Sequence, residues 1–282
     1  MKKWAPLFFL CFAVLPLAAG LGYALLYSLG LTGAVAQGFS LEAWRNTLSD
    51  ATFWFSMGLS AGIASLAVVL STILALFLLL WLRPELERPR VRFLLHLPLA
   101  IPPIVAAFLS FQWLGSSGML ARIGYQVGWL DNSGDFPPLI NDPWYVGVLV
   151  TMILGTFPFF LLIFLNHFRA ADLSSFSDVA ATLGASGRQI HSRIVAPVIL
   201  RRAAPALLLY GVFLFGAYEV PLLLGRQNPA MISMFINQKF RRFNIADFPV
   251  AYVATVLYAI LVMGVLLLFL RRDRSKARVL SA

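Results

Sequence analysis

Six long apolar stretches constrain this chain more than any other feature of its sequence. They lie near residues 6–29, 53–82, 94–116, 144–166, 204–225 and 249–270. A helix rises 1.5 Å per residue, so each stretch is long enough to cross the roughly 30 Å of hydrocarbon in a bilayer. Hydrophobic residues make up 60% of the 282 positions and charged residues only 12%, about half the charge of soluble domains. The sequence therefore predicts an all-α, polytopic membrane protein with six transmembrane helices, and it excludes a water-soluble globular domain.

The first apolar stretch has some features of a signal peptide. Lys2 and Lys3 precede it, and the small residues Ala18 and Ala19 lie inside it. However, the apolar run continues through Tyr27, which is too long for a cleavable segment. We expect a retained first transmembrane helix.

The distribution of Lys and Arg predicts the orientation of the chain. The net charge is +10, and most of the 22 basic residues lie before the first stretch, between the second and third, between the fourth and fifth, and after the sixth. Cytoplasmic loops carry such an excess, so both termini are expected in the cytoplasm, and the charge does not require a nucleic-acid partner. One predicted outer loop is an exception, because it holds Arg226, Lys239, Arg241 and Arg242.

Proline interrupts two of the six stretches. The third contains Pro98, Pro102 and Pro103, and the fifth contains Pro221. Because proline lacks an N–H and clashes with the preceding turn, both helices are expected to be kinked or broken. A membrane tolerates such breaks only where protein or water satisfies the freed carbonyls, so these two helices are expected to face the protein interior.

The polar segment 167–202 is patterned as two short helices on the cytoplasmic side. Phe176, Val179, Ala180 and Leu183 form one apolar helical stripe. Ser174 or Ser175 is a suitable N-cap for this helix, Asp178 suits its first turn, and Gly184 suits the left-handed residue that ends it. A second helix is predicted to start at Ser186, to carry Ile190 and Ile194 on one face, and to stop at Pro197.

Two helices joined by a glycine turn also describe a DNA-binding helix-turn-helix. This segment is fixed at both ends to transmembrane helices and has no third helix to complete a core. DNA binding is therefore not expected.

The same segment resembles a known motif. Residues 178–186 read Asp-Val-Ala-Ala-Thr-Leu-Gly-Ala-Ser, and residues 194–197 read Ile-Val-Ala-Pro. This resembles the EAA motif of the permease subunits of bacterial binding-protein-dependent ABC importers, in which Glu-Ala-Ala is followed by Gly and then by Ile-x-Leu-Pro. Ala180, Gly184, Ile194 and Pro197 match in type and spacing, whereas Asp178, Val179 and Ala196 replace the family's Glu, Ala and Leu.

The resemblance implies a division of the chain and a set of partners. Residues 1–52 would form a first transmembrane helix and an outer loop, 53–270 the permease core with the coupling segment, and 271–282 a basic cytoplasmic tail. The expected partners are cytoplasmic ATP-binding subunits, a second permease subunit, an external solute-binding protein and the lipid bilayer of the bacterial inner membrane. The second permease is either a second copy of this chain or a homologue, and the resemblance favours a homologue. The residues expected to couple to the ATPase are Asp178, Val179, Ala180, Gly184, Ala185, Ser186, Ile194 and Pro197.

The sequence carries no catalytic or metal-binding constellation. It contains no Gly-Lys pair and hence no P-loop, so ATP and Mg²⁺ are expected on a partner chain and no cofactor on this one. His96, His167 and His191 are scattered, and Cys11 is the only cysteine. We expect a transport subunit rather than an enzyme.

Glu219 is the only acidic residue inside a predicted span, about 22 Å along it from Ala204 at 1.5 Å per residue. An ionisable group in hydrocarbon is costly, so Glu219 should face a cavity, water or another protein group. It is a candidate for the translocation pathway together with Tyr210, Tyr218 and Pro221. The alternative is a structural carboxylate that pairs with Arg226 or with the second permease.

The sequence leaves the cargo open. Residues 216–225 resemble the fifth helix of permeases for polyamines, ferric iron, thiamine, sulfate or molybdate, and phosphonates. Glu219 favours a polyamine, whereas the basic outer loop favours an anion or an acidic receptor. Two other functions compete with an ABC permease: a secondary transporter driven by an ion gradient, which should carry several intramembrane ionisable groups and an internal repeat, and a non-transporting membrane scaffold.

Overall fold

The computed structural model describes residues 8, 10–34, 36, 38–242 and 244–280, and these residues fold as helices joined by turns and by one longer connection at 127–145. Six helices within them are long and apolar enough to cross a membrane. The predictions of an all-α fold and of six membrane-spanning helices are confirmed. The candidate spans, by length and composition, are Leu10–Ser28, Ala51–Leu86, Pro103–Gln126, Val146–Ala170, Gly187–Phe215 and Asp247–Arg271. The third of them consists of two helices with a turn between them.

The described residues form thirteen α-helices. They are α1 (Leu15–Ser28), α2 (Glu42–Ser49), α3 (Ala51–Leu86), α4 (Pro89–His96), α5 (Pro103–Leu114), α6 (Met119–Gln126), α7 (Val146–Ala170), α8 (Leu173–Thr182), α9 (Gly187–Ile190), α10 (Ala196–Phe215), α11 (Glu219–Leu224), α12 (Ile232–Arg241) and α13 (Asp247–Leu280). Short 3₁₀ turns lie at Pro98–Ala100 and Ser133–Asp135, and π-helical turns at Leu10–Val14 and His191–Val195.

Prolines break the third predicted span, as expected. Pro98 begins a 3₁₀ turn, and Pro102 is in the extended conformation with φ −58° and ψ 145°. Helix α5 then starts at Pro103, where the missing N–H costs nothing because the first helical N–H groups have no intrahelical partner. The predicted stretch 94–116 is therefore three pieces rather than one helix.

The fifth span begins earlier than predicted, and it is broken, as predicted, although before Pro221 rather than at it. Pro197 was expected to stop a short helix, yet it lies in the first turn of α10, and the helical path runs without interruption from Gly187 to Phe215. The π-helical turn His191–Val195 directly precedes α10. This wider turn shifts the carbonyls that the proline ring would otherwise strike, so the helix continues. At its other end α10 stops at Phe215, and α11 begins anew at Glu219.

The chain divides into two compact units, Leu59–Met231 and the parts before and after it. In the unit formed by the two ends of the chain, aromatic rings link α1 to α13. The Tyr27 and Tyr252 ring centroids are 4.2 Å apart, and the Phe240 ring meets Tyr252 edge-on at 5.0 Å.

Part of the basic outer loop is neutralised within that same unit. Asp247, at the start of α13, lies 3.9 Å from the Lys239 ammonium and 3.8 Å from the Arg242 guanidinium. Two of the four basic residues that the sequence could not explain therefore hold α12 to the start of α13.

In the unit Leu59–Met231, one apolar core joins the transmembrane helices to the segment 167–202. Phe160, Phe164 and Phe168 from α7 pack in it with Leu79 from α3 and Ile199 from α10. The same core buries Leu173, Ile190 and Val195, which come from the segment itself. The short helices α8 and α9 are therefore packed against the ends of α3, α7 and α10 and are not merely connected to two of them by the chain.

Candidate functional site

Helix α8 begins earlier than the sequence suggested. The N-cap residue is Asp172, which is in the left-handed conformation with φ 47°, and not Ser174 or Ser175. Asp172 Oδ1 accepts a hydrogen bond of 3.2 Å from the Ser174 hydroxyl. Because the helix starts at Leu173, Asp178 lies in its second turn and does not face the free N–H groups of the first. The earlier start has a packing cause, since it buries Leu173 to 2% exposure.

Gly184 ends α8 in the way that the sequence predicts. Its φ is +85°, a conformation that a residue with a Cβ adopts only at a cost. The Gly184 amide donates to the carbonyl of Ala181, and the Ala185 amide donates to the carbonyl of Ala180, both at 3.0 Å. This pair of bonds satisfies the last carbonyls of the helix and turns the chain sharply.

Ser186 starts the second helix, also as predicted. Its hydroxyl accepts a hydrogen bond from the Gln189 amide at 3.4 Å, and its own amide donates to Gln189 Oε1 at 2.9 Å. This reciprocal arrangement is a capping box, which satisfies two N–H groups at the helix start. Gly184 and Ser186 together fix the angle between α8 and α9.

Buried apolar residues hold the segment on the membrane domain. Leu173, Ile190 and Val195 are 2%, 8% and 1% exposed, and each such side chain contributes about 1.5–3 kcal/mol on burial. Ala180, Ala185 and Ile194, three of the predicted coupling residues, pack half-buried against the same core. These three residues therefore support the segment from within.

The other side of α8 presents an apolar patch. Phe176, Val179 and Leu183 are 60%, 59% and 83% exposed. We call these three residues the α8 patch. They follow one another along one face of α8, with spacings of three and four residues. Within the described chain the patch is uncovered, which is unusual for large apolar residues on a segment too polar to enter lipid.

Asp178 faces away from the patch into a cavity of about 410 Å³ between α8 and the end of α3. Arg83, Ser177 and His191 also line this cavity. The Arg83 guanidinium lies 4.7 Å from the centre of the Phe168 ring. Asp178 therefore lies on a different side of α8 from the patch, although it precedes Val179 directly in the EAA-like motif.

A second cavity, of about 200 Å³, lies among the transmembrane helices. Glu219 and Tyr210 both line it, next to Thr156 from α7 and Pro98 from the broken third span. Tyr218 and Pro221 do not line it, and Pro221 is buried. Two of the four predicted pathway residues therefore meet at one cavity.

Glu219 does not lie where the sequence put it. It was expected part-way along a helix that is kinked or broken at Pro221, whereas α10 already ends at Phe215 and Glu219 is the first residue of α11. The three residues between them make a turn, in which the Ala217 amide donates to the Leu214 carbonyl at 3.1 Å. Glu219 is exposed on this chain taken alone and lines the cavity of about 200 Å³.

Tyr210 is fixed by its neighbours. Its ring stacks on Phe159 at 5.1 Å and meets Phe160 edge-on at 5.4 Å. Thr156 lines the same cavity. The two phenylalanine rings therefore fix the Tyr210 ring at the cavity wall.

Sequence reasoning missed a clamp at the other end of α7. Asp142 Oδ2 accepts hydrogen bonds from the amides of Trp144, at 3.1 Å, and Val146, at 2.9 Å, and thereby caps α7. Tyr145, which is 1% exposed, donates its hydroxyl proton to the carbonyls of Arg226 and Pro229. Burial raises the pKa of Tyr145 to about 12. An Asp three to four residues before an apolar run was the signal available in the sequence.

No protein-family sequence model matches the chain. The sulfate transport system permease protein CysW of Escherichia coli K12 is 33% identical to it over 176 residues, which are 61% of this chain and 55% of CysW. CysW of E. coli O6:H1 gives the same values. The chain thus matches little more than half the length of these relatives.

Solved structures show the fold over nearly the whole chain. One is a bacterial ABC transporter involved in the import of the acidic polysaccharide alginate, with a TM-score of 0.75 and 17% identity over 96% of this chain and 92% of the other. A second is a bacterial alginate ABC transporter in complex with a periplasmic protein bound to alginate pentasaccharide, with a TM-score of 0.68 and 17% identity over 95% and 90%.

The chain is a multi-pass membrane protein with the fold of an ABC permease. The sequence similarity to CysW agrees with the resemblance of residues 178–197 to the permease subunits of binding-protein-dependent ABC importers. The EAA-like motif itself, the domain division and the role of each candidate residue stay predictions.

Proposed function

We propose that the chain is a permease subunit of an ATP-driven importer, and that it forms half of a translocation pathway in the inner membrane. The observation that carries this proposal is the α8 patch, a set of exposed apolar residues on a helix that is braced against three spans. The similarity to CysW, a sulfate transport permease, supports the same role. The chain itself performs no catalysis in this proposal.

The proposed partner at the α8 patch is a cytoplasmic ATP-binding subunit, which holds ATP and Mg²⁺. Phe176, Val179 and Leu183 would enter an apolar groove on it. Since Leu173, Ile190 and Val195 tie the segment to α3, α7 and α10, movement of the partner would tilt these helices. The packed helices would then have two stable arrangements, one open to each side of the membrane.

The proposal also includes a second permease subunit, an external solute-binding protein and cytoplasmic termini. The solved alginate importer in complex with its periplasmic protein supports the binding-protein partner. The excess of Lys and Arg in the segments placed inside supports the orientation.

For the cargo, we propose a small oxyanion, with sulfate as the first to test. The relatives are named for sulfate and alginate, which are both anions, and neither supports the polyamine predicted from the sequence. Polyamine stays the second candidate because one observation favours it: the Glu219 carboxylate lines the 200 Å³ cavity, where it would attract a cation and oppose an anion.

Affinity purification of the tagged full chain from native membranes tests the central proposal. We expect a chain with a P-loop to co-purify. Replacing Leu183 by Asp puts a charge in the proposed contact and removes burial worth about 1.5–3 kcal/mol, so the yield of that chain should fall about tenfold or more. Ala181→Asp is the matched control, because Ala181 is exposed on the same helix but lies two residues from both Val179 and Leu183 and therefore on a different face.

Two results would contradict the proposal. One is a purified native assembly that contains no ATP-binding chain. The other is uptake that persists without ATP and collapses with the proton or sodium gradient, which would favour a secondary transporter.

A further inference from the structure

We propose that α6 (Met119–Gln126) is an interfacial helix, which lies on the bilayer surface and places Met119, Ile123 and Val127 in contact with lipid. The inference needs the membrane location of the chain and does not depend on the cargo or on the ATPase. It concerns a helix to which no part of the proposed transport mechanism gives a role.

Helix α6 does not continue the path of α5. Helix α5 has 12 residues, or about 18 Å of helix. At Gly118 the chain folds back onto the end of α5 so closely that a Cβ there would lie 2.7 Å from the Gln112 carbonyl oxygen and 2.9 Å from that of Trp113. The Gly118 amide donates to the Gly115 carbonyl at 2.8 Å and closes this turn. The chain therefore leaves the direction of α5 before α6 begins.

One side of α6 is packed against the protein. Ala121 is completely buried and Gly124 is buried. A Cβ on Gly124 would lie 3.0 Å from a methyl group of Leu130, and the amides of Trp129 and Leu130 donate to the Gly124 carbonyl. The chain after α6 is thus folded back over this buried side. The helix therefore cannot rotate so that this side faces outward.

The opposite side of α6 is apolar and uncovered. Met119, Ile123 and Val127 are 49%, 38% and 56% exposed and are spaced four residues apart, so they form one stripe along the helix. Arg122 and Gln126 are exposed beside this stripe. Apolar residues on one flank and polar residues on the other are the arrangement by which a helix lies in the plane of a membrane surface.

Two neighbouring features favour lipid over a soluble partner as the occupant of this stripe. Trp129 follows α6 and is 84% exposed, and tryptophan is enriched at the level of lipid headgroups. The exposed apolar surface also continues onto the last turns of α5, where Leu109 and Trp113 are each 46% exposed. Since α5 belongs to a membrane-spanning segment, a soluble protein could not cover both surfaces.

Spin labels on single cysteines test this inference. Cys11→Ser removes the only native cysteine, and Ile123→Cys and Val127→Cys then place labels in the stripe, with Arg122→Cys and Gln126→Cys as matched controls on the same helix. The full chain is reconstituted in vesicles of phosphatidylcholine and phosphatidylglycerol. We expect the labels at 123 and 127 to collide several-fold more with oxygen and several-fold less with a water-soluble nickel chelate than the two controls.

Equal access of the nickel chelate to all four labels would overturn the inference. So would access at 123 and 127 that is lost only when the external binding protein is added, because the stripe would then be a protein-docking surface. A second measurement avoids the cysteine variants: the tryptophan emission that wild type has and Trp129→Phe lacks should be quenched by lipids brominated near the headgroup. Absence of that quenching would also contradict the inference.

Discussion

The amide of Ala185 donates a 3.0 Å hydrogen bond to the carbonyl of Ala180, five residues back, across the left-handed Gly184. This bond fixes where α8 ends and where the next helix begins. The α8 patch and the residues that anchor the segment therefore keep their positions only while Gly184 keeps its φ of +85°.

Replacing Gly184 by Val should disturb this turn through backbone conformation alone. A Cβ at Gly184 would meet nothing within 4 Å, whereas the left-handed conformation costs an L-residue about 1–2 kcal/mol. We expect Gly184→Val to lose most of the co-purifying ATP-binding chain. Gly184→Asn is the control, since Asn tolerates this conformation, and equal losses in both variants would show that the turn geometry is not the cause.

Ser186→Ala, which removes the capping hydroxyl, should loosen α9. The Gln189 amide would lose its acceptor, at a cost of about 1 kcal/mol, which corresponds to about fivefold faster local opening. Hydrogen–deuterium exchange of the peptide around residues 186–192 would measure it. Ser192→Ala should leave exchange unchanged, because the Ser192 hydroxyl only donates to the Arg188 carbonyl on an exposed turn.

Tyr145→Phe should destabilise the clamp at the start of α7. The substitution leaves two carbonyls, those of Arg226 and Pro229, without their donor, and a buried group without its partner costs about 1–3 kcal/mol. The melting temperature of the purified protein should fall. Tyr125→Phe should not change it, because Tyr125 is 55% exposed.

The same tyrosine predicts a pH dependence. The folded pKa of Tyr145 is raised to about 12, above the value near 10 of an unfolded chain, so its contribution to stability is complete below pH of about 10 and is lost as the pH rises towards 12. The difference in melting temperature between wild type and Tyr145→Phe should therefore shrink across that range. A constant difference would show that the hydroxyl contributes nothing through its proton.

Glu87→Gln should have little effect on stability. Glu87 lies 3.8 Å from Arg169 and 4.0 Å from Arg83, but all three side chains are 37–41% exposed, and exposed ion pairs contribute at most about 1 kcal/mol. Leu173→Ala in the neighbouring core should cost about 2–5 kcal/mol instead. Thermal melting of both variants would distinguish packing from charge as the support of the segment.

Glu219→Gln distinguishes the two cargo candidates. If the cargo is an oxyanion, loss of the negative charge beside the cavity should leave the uptake of sulfate unchanged or raise it. If the cargo is a polyamine, the uptake of spermidine should fall about tenfold or more, since a partly desolvated charge pair contributes more than 1.4 kcal/mol. A fall in sulfate uptake would contradict the oxyanion candidate, and unchanged spermidine uptake would contradict the polyamine candidate.

The sequence predicted the features that depend on local chemistry. Apolar length identified the six spans, and the conformational freedom of Gly184 and the hydroxyl of Ser186 located both ends of the turn between α8 and α9. What it could not predict depends on packing between distant residues. Helix α8 starts at Leu173 because Leu173 is buried against α7 and α10, and Pro197 fails to stop a helix because a π-helical turn precedes it.

Pro221 predicted a kink or break in the fifth span, but the sequence did not predict the position of the break. A proline within a helix predicts a kink at its own position, whereas the chain stops being helical at Gly216, five residues earlier. The position of the break decides which side chains reach the cavity. Tyr210 and Glu219 reach it from opposite sides of the break, and Tyr218 does not.

The unbroken helical path from Gly187 to Phe215 makes the two ends of this region into the ends of a single stiff rod. With 29 residues, it is about 43 Å long at 1.5 Å per residue. A rotation of a few degrees about its middle, imposed where the rod meets Ser186, displaces the far end in the opposite direction by an ångström or so. That far end carries the turn before Glu219, so in the proposed mechanism a displacement made at Ser186 would change the width of the cavity beside this residue.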